Sequence, residues 1–103
     1  MKLFLKTKSG ANAVGEYDLD TKTMIVKKGS VVCGEVHTDG KFRGANSVIK
    51  SRELYCKGNT TKTDAPFNSA STAANFVTGR STNGLLAWKN SDGEPLKNLI
   101  QEK

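Results

Sequence analysis

Apolar and polar residues alternate over Lys2–Lys6, with Leu3 and Leu5 on one side and Phe4 on the other, and this period of two predicts a strand that could be covered on both faces. Ser9 and Gly10 suit a turn. The chain then resumes an extended pattern from Ala11 to Tyr17, where Ala11, Ala13 and Tyr17 share parity and Gly15 permits a bend or bulge. Asp18–Thr21 supplies the next turn, and Thr23–Lys28 is β-branched or apolar at Thr23, Ile25 and Val26. Residues 2–28 therefore read as an antiparallel three-stranded meander that stops at Gly29-Ser30. Val31, Val32, Cys33 and Val36 suit either a fourth short strand or a packed connection.

The period changes further on. Ser47 can cap a helix running to about Lys57, with Val48, Ile49, Tyr55 and Cys56 on one face and the stem of Arg52 between them. Lys50, Glu53 and Lys57 then face solvent, Glu53 and Lys57 are spaced for a helical ion pair, and Gly58-Asn59 ends the helix. Thr60–Pro66 reads as a polar loop. Ser69 caps a second helix over 70–78, whose Ala70, Ala73, Ala74 and Val77 form a face of small side chains, and Gly79 stops it. Phe67, ahead of the cap, can staple onto the first turns of this helix. Asn83-Gly84 predicts a tight turn, Leu85–Trp88 a short returning strand, Asn90–Gly93 another turn, and Pro95–Ile100 a terminal helical turn before a frayed 101–103.

A chain of 103 residues is expected to form one domain, 1–103, with a core that needs neither disulfide nor metal. Leu3-Phe4-Leu5 is far too short for a secretory core and no apolar run approaches a membrane span, so a soluble cytoplasmic protein is expected. Cys33 and Cys56 fit no metal or redox spacing and read as reduced structural thiols. The net charge of +6 is uneven: the first sixty residues carry eleven Lys or Arg against six Asp or Glu. Lys41, Arg43, Lys50, Arg52, Lys57 and Lys62 outnumber Asp39 and Glu53 in one stretch, which suits either a polyanion-binding face or dispersed solubilising charge.

Catalytic constellations are sparse. His37 is the only histidine; Cys33 lies four residues before it, but Gly34 argues against the helical turn that would join them and no third orienting group is apparent. Most aspartates sit beside turn residues, and Asp18-x-Asp20 lacks the further oxygens a hard cation needs. The Gly79–Gly84 stretch follows a helix where a phosphate loop would open one, so Arg80 there either holds an anion with turn amides or bonds the helix-end carbonyls. Trp88, after Leu85 and Leu86, reads as a core anchor before it reads as a base-stacking platform.

Ser69-x-Ser71-x-Ala73-Ala74, Val77-x-Gly79-Arg80-Ser81-x-Asn83-Gly84, Trp88-Lys89, Gly93 and Leu96 together resemble a bacterial domain of unknown function commonly found C-terminal to GIY-YIG endonuclease domains. The same stretch is similar to the restriction-enzyme and adenine-methylase-associated (RAMA) module; Gly15-Glu16-Tyr17 and Val26–Ser30 extend the likeness upstream, and Ala70 replaces the proline many members carry. The resemblance implies recognition of DNA, modified DNA included, on behalf of an enzyme. Nothing here resembles the GIY-YIG motif, so the domain would act alone or with a nuclease or methyltransferase partner in trans. The expectation is an α+β domain with an N-terminal antiparallel sheet, two helices and a short C-terminal strand, without cofactor, metal or catalysis, that binds nucleic acid, DNA first. Lys41, Arg43, Lys50 and Lys57 would contact phosphates, with Arg80 and Asn83 as specificity contacts. A protein-interaction or scaffold module is the alternative, and a small hydrolase using Cys33 and His37 a distant third.

Overall fold

The computed structural model describes residues 1–8, 10–34, 36 and 45–100; expectations resting on His37, Lys41, Arg43 or residues 101–103 lie outside the described residues. In chain order the elements are β1 (Lys2–Lys6), β2 (Asn12–Asp18), β3 (Thr23–Val26), α1 (Ala45–Tyr55), β4 (Cys56–Lys57), β5 (Thr60–Thr61), β6 (Ala65–Phe67), α2 (Ala70–Thr78), α3 (Gly84–Ala87) and α4 (Leu96–Leu99). The meander forms as expected, all antiparallel, with Phe4 opposite Val14 and Glu16 opposite Ile25. A fourth strand completes the sheet in the order β1-β2-β3-β6, Ile25 standing opposite Pro66. Pro66 is tolerated because β6 is an edge strand, where a missing N–H breaks no ladder.

Alternation decides the layers. Leu3, Leu5, Ala13, Tyr17, Met24, Val26, Ala65 and Phe67 are buried in one core with Ala70, Ala73, Ala74, Phe76 and Val77 of α2. On the other face of the sheet Phe4 and Val14 are half-buried, while Lys2, Lys6, Asn12, Glu16, Ile25 and Pro66 are exposed. Among the described residues, helices cover only one face. The α+β class, the N-terminal antiparallel sheet and the two main helices are therefore as read from the sequence.

Three local readings change. First, α1 starts at Ala45 and stops at Tyr55, so Lys57 leaves the helix and forms no helical pair with Glu53; Gly58, at φ 63°, makes the turn between β4 and β5. Second, the polar stretch 60–66 is not a loop: Thr61 is buried because it joins a knot of hydrogen bonds with Ser30. Ser30 Oγ accepts from the Val14 amide at 3.1 Å and donates to the Lys27 carbonyl at 2.7 Å. The Ser30 amide donates to Thr61 Oγ1 at 2.9 Å, and that hydroxyl donates to the same Lys27 carbonyl at 2.9 Å. The knot fills the break where the chain leaves the sheet after β3, and Val31 rejoins it as a single bridge between Asn12 and Thr60. Val31–Cys33 is accordingly a packed connection, with Val32 donating to Asn59 and Cys33 to Val77.

Third, Leu85–Trp88 is not a strand. Asn83 Oδ1 accepts from the Leu85 amide at 3.0 Å, so Asn83-Gly84 opens the helical turn α3 where a hairpin turn was expected. Asparagine serves both purposes, and tertiary packing selects the cap. Gly84 is pressed onto the first turn of α2: a Cβ there would lie 2.3 Å from the Ala70 carbonyl carbon and 2.4 Å from the Ser71 nitrogen. Backbone cannot yield as a side-chain tip would, so Gly84→Ala is expected to destabilise the domain by about 2–3 kcal/mol, read as a lower urea midpoint with unchanged slope. Extended pairing resumes one residue after Trp88, where Lys89 bridges both Phe4 and Pro95.

α2 follows its sequence closely. Ser69 Oγ accepts from the Thr72 amide at 3.1 Å, and Gly79 ends the helix at φ 76°, its amide bonded to the Asn75 carbonyl at 2.8 Å.

Candidate nucleic-acid interface

Lys2, Phe4 and Lys6 share a parity on β1 and project from the uncovered side of the sheet. The Phe4 amide donates to the Lys89 carbonyl at 2.7 Å and the Lys89 amide returns a bond of 2.9 Å to Phe4. Residues paired in this way project on the same side, so Lys89 joins the group. An aromatic ring thus stands among three lysines. The Lys2 ammonium is 5.6 Å from the ring centroid, near the outer limit of a cation–π contact and on an exposed, flexible stem.

Beside the ring lies a cleft of about 420 Å³ lined by Phe4, Lys6, Lys89, Asn90, Ser91 and Gly93. Its far wall is a tight turn: Asn90 Oδ1 accepts from the amides of Asp92 at 3.0 Å and Glu94 at 2.9 Å, and Gly93 adopts φ 85°. Among the described residues no carboxylate lines the cleft. A second hollow, of about 400 Å³, is lined by Glu16 and Asp18 with Met1, Tyr17, Leu19, Thr23 and Ile25. Bonds from the Asp20 and Thr21 amides lower the Asp18 pKa from its ordinary value, and Glu16 pairs with the N-terminal ammonium at 3.1 Å, so two carboxylates against one cation make this hollow less suited to phosphate.

The residues expected from sequence fall elsewhere. Lys50 is exposed on α1, in the helical layer packed against the opposite face from Phe4, and Lys57 is exposed on β4. Lys41 and Arg43 lie outside the described residues. Arg80 is exposed just past Gly79, and Asn83 caps α3, which commits its Oδ1 and leaves Nδ2 as a donor. Neighbouring side chains bond the turn backbone: Asn75 Oδ1 accepts from the Thr82 amide at 2.8 Å, and Thr82 Oγ1 donates to the Arg80 carbonyl at 3.1 Å. The helix-end carbonyls, offered by the sequence to Arg80, are taken by Arg52. Its Nε and Nη2 donate to the Phe76 carbonyl at 3.1 and 2.9 Å, Nη2 also reaches Val77 at 3.3 Å, and Nη1 bonds the Cys33 carbonyl. Burial lowers the Arg52 pKa, but a guanidinium keeps its charge.

The thiols do not form a site among the described residues. Cys33 is buried, with Sγ 3.6 Å from Thr7 Oγ1, and His37 lies outside the described residues. Burial raises the Cys56 pKa despite nearby Arg52 and Lys62, which keeps that thiol protonated at neutral pH. Among the described residues no group of His, Cys, Asp or Glu could hold a metal ion, and no helix is long and apolar enough to cross a membrane.

Lys2, Phe4, Lys6 and Lys89 were not singled out by sequence. The Lys-x-Phe-x-Lys alternation was a legible signal, but its meaning depended on which face of the sheet stayed bare. Lys89 could be added only by knowing what pairs with β1.

The fold and this face define a small two-layer α+β domain that exposes Phe4 among Lys2, Lys6 and Lys89 on one side of its sheet. The chain belongs to the family described as domain of unknown function DUF4357, whose model matches residues 3–100. The comparisons with curated proteins and with solved structures give no match.

Proposed function

We propose that this chain is a non-catalytic nucleic-acid-binding module, DNA being its first candidate ligand. The observation that carries the reading is the half-buried Phe4 ring set among Lys2, Lys6 and Lys89 on the sheet face away from the helices, beside a cleft whose described lining holds no carboxylate. Lysines supply the sequence-independent attraction to phosphates, and an aromatic ring supplies a stacking surface that any base can use. The net charge of +6 adds long-range attraction to a polyanion. Lys41, Arg43, Lys50 and Lys57 act as further phosphate contacts, and Arg80, with the Nδ2 of Asn83, as base contacts. The resemblance to GIY-YIG-associated and RAMA-like domains supports a role in restriction-modification or DNA processing in a bacterial cytoplasm, with a nuclease or methyltransferase in trans.

The second reading is a protein-docking module, favoured by the exposed Leu85 and Leu86 on α3 and Leu54 on α1. The two separate by salt dependence. Affinity for a short DNA, followed by fluorescence anisotropy, is expected to fall steeply as salt rises from about 50 to 200 mM, and Lys6→Gln or Lys89→Gln each to reduce the slope of log K against log salt by about 0.7 on a single strand. Absence of binding at millimolar protein in low salt would sink the proposal and leave the leucines as the surface to pursue.

A further inference from the structure

We infer that the cleft beside β1 holds one unpaired nucleotide of a single strand, its base stacked on the Phe4 ring and its phosphate between the Lys6 and Lys89 ammonium groups. This rests on the nucleic-acid reading above and adds to it a strand preference and a subsite. Phe4 is half-buried in the sheet, so its ring is held in place by the fold and loses little freedom when a base lies on it. In a duplex each base already has neighbours on both faces, so a ring within a cleft cannot reach one unless the base is unstacked. A single strand offers its bases without that cost.

The size and chemistry of the lining agree. About 420 Å³ falls within the range of small-ligand sites and admits a planar heterocycle with its sugar. Lys6 is two residues from Phe4 along β1 and Lys89 is Phe4's partner in an isolated bridge, so the two lysines adjoin Phe4 from separate parts of the chain. A phosphate beside a stacked base can meet both. The turn adds the Ser91 hydroxyl and the Asn90 Nδ2 as donors to base or sugar oxygens, since Asn90 Oδ1 is already held by two backbone amides. The Lys2 ammonium lies over the ring at 5.6 Å; a base takes that place and the ammonium moves to a backbone phosphate.

The test compares labelled oligodeoxyuridylate, the equivalent oligouridylate and a short DNA duplex by fluorescence anisotropy at about 50 mM salt. The wild type is expected to bind single strands at least about tenfold more tightly than duplex, and Phe4→Leu, which keeps apolar bulk but removes the π-face, to lose about tenfold on single strands and nothing on duplex. Phe4→Tyr should retain single-strand affinity, which guards against a mere folding effect. The DNA and RNA arms show whether the sugar is read: equal binding means base and phosphate suffice, a difference means the cleft also senses the 2′ position, and either supports the subsite. Equal affinity for single strands and duplex, or no effect of Phe4→Leu, would overturn the subsite while leaving a phosphate-binding face. Failure of all three nucleic acids to bind would remove the underlying reading as well.

Discussion

Trp88→Ala is expected to destabilise the domain by about 3–5 kcal/mol, a large share of the roughly 5–15 kcal/mol usual for a domain of this size. Trp88 is wholly buried, and its Nε1 donates to the Ala70 carbonyl at 3.0 Å, tying the segment after α3 to the first turn of α2. The ring also lies on the sheet: a Cβ at Gly15 would come within 2.9 Å of Trp88 Cζ3 and 2.8 Å of Met24 Sδ. Glycine at this point of β2 lets an indole pack against backbone where any side chain would hold it off. Truncation removes that contact and the buried hydrogen bond together. Trp88→Phe separates them, since it keeps much of the ring and leaves the Ala70 carbonyl without its donor, for an expected loss of about 1–3 kcal/mol. Urea unfolding followed by circular dichroism checks both; a loss for the alanine variant no greater than for phenylalanine would show that the ring's packing matters little.

Arg52→Ala is expected to cost about 3 kcal/mol, from carbonyls that lose a charged donor in a half-buried setting. The guanidinium gathers the end of α2 at Phe76 and Val77 and the connection at Cys33, segments otherwise distant in the chain. Among the described residues its partners are neutral carbonyls, so the loss should hardly change with salt, unlike that of an ion pair. Lysine is a poor substitute because one ammonium lacks the planar fork that spans diverging acceptors. Arg52→Lys should recover less than half of the loss; full recovery would mean that charge alone, without the fork, holds the helix end.

The sequence was most legible where a local rule and the tertiary structure agree. The alternation of Leu3, Leu5, Ala13 and Tyr17 and the Ser69 to Gly79 bracket around α2 each predict their element without outside help. Asn83-Gly84 suits a hairpin and a helix cap equally, and contact with Ala70 decides between them. Thr60–Pro66 looked polar because the hydroxyl of Thr61 is spent inside the fold, on Ser30 and Lys27, not on solvent. Arg52 was recognised as an amphipathic stem, but composition could not say which carbonyls it would meet. For the candidate interface, charge pointed to a polyanion and the densest run of cations drew attention to residues 41–62, while the aromatic ring with its lysines sits at the sheet edge.

Lys89 reaches Phe4 only after most of the chain has been laid down, because the two pairing partners come from near opposite ends of the sequence. The proposed surface is consequently a non-local product of folding, and neither the meander alone nor the C-terminal third alone carries it. Fraying of the segment around Lys89 would open one side of the cleft while leaving the first three strands paired, so ligand binding and amide protection of Phe4 and Lys89 should rise together. Nucleic acid would then act as a clasp between the two ends of the chain.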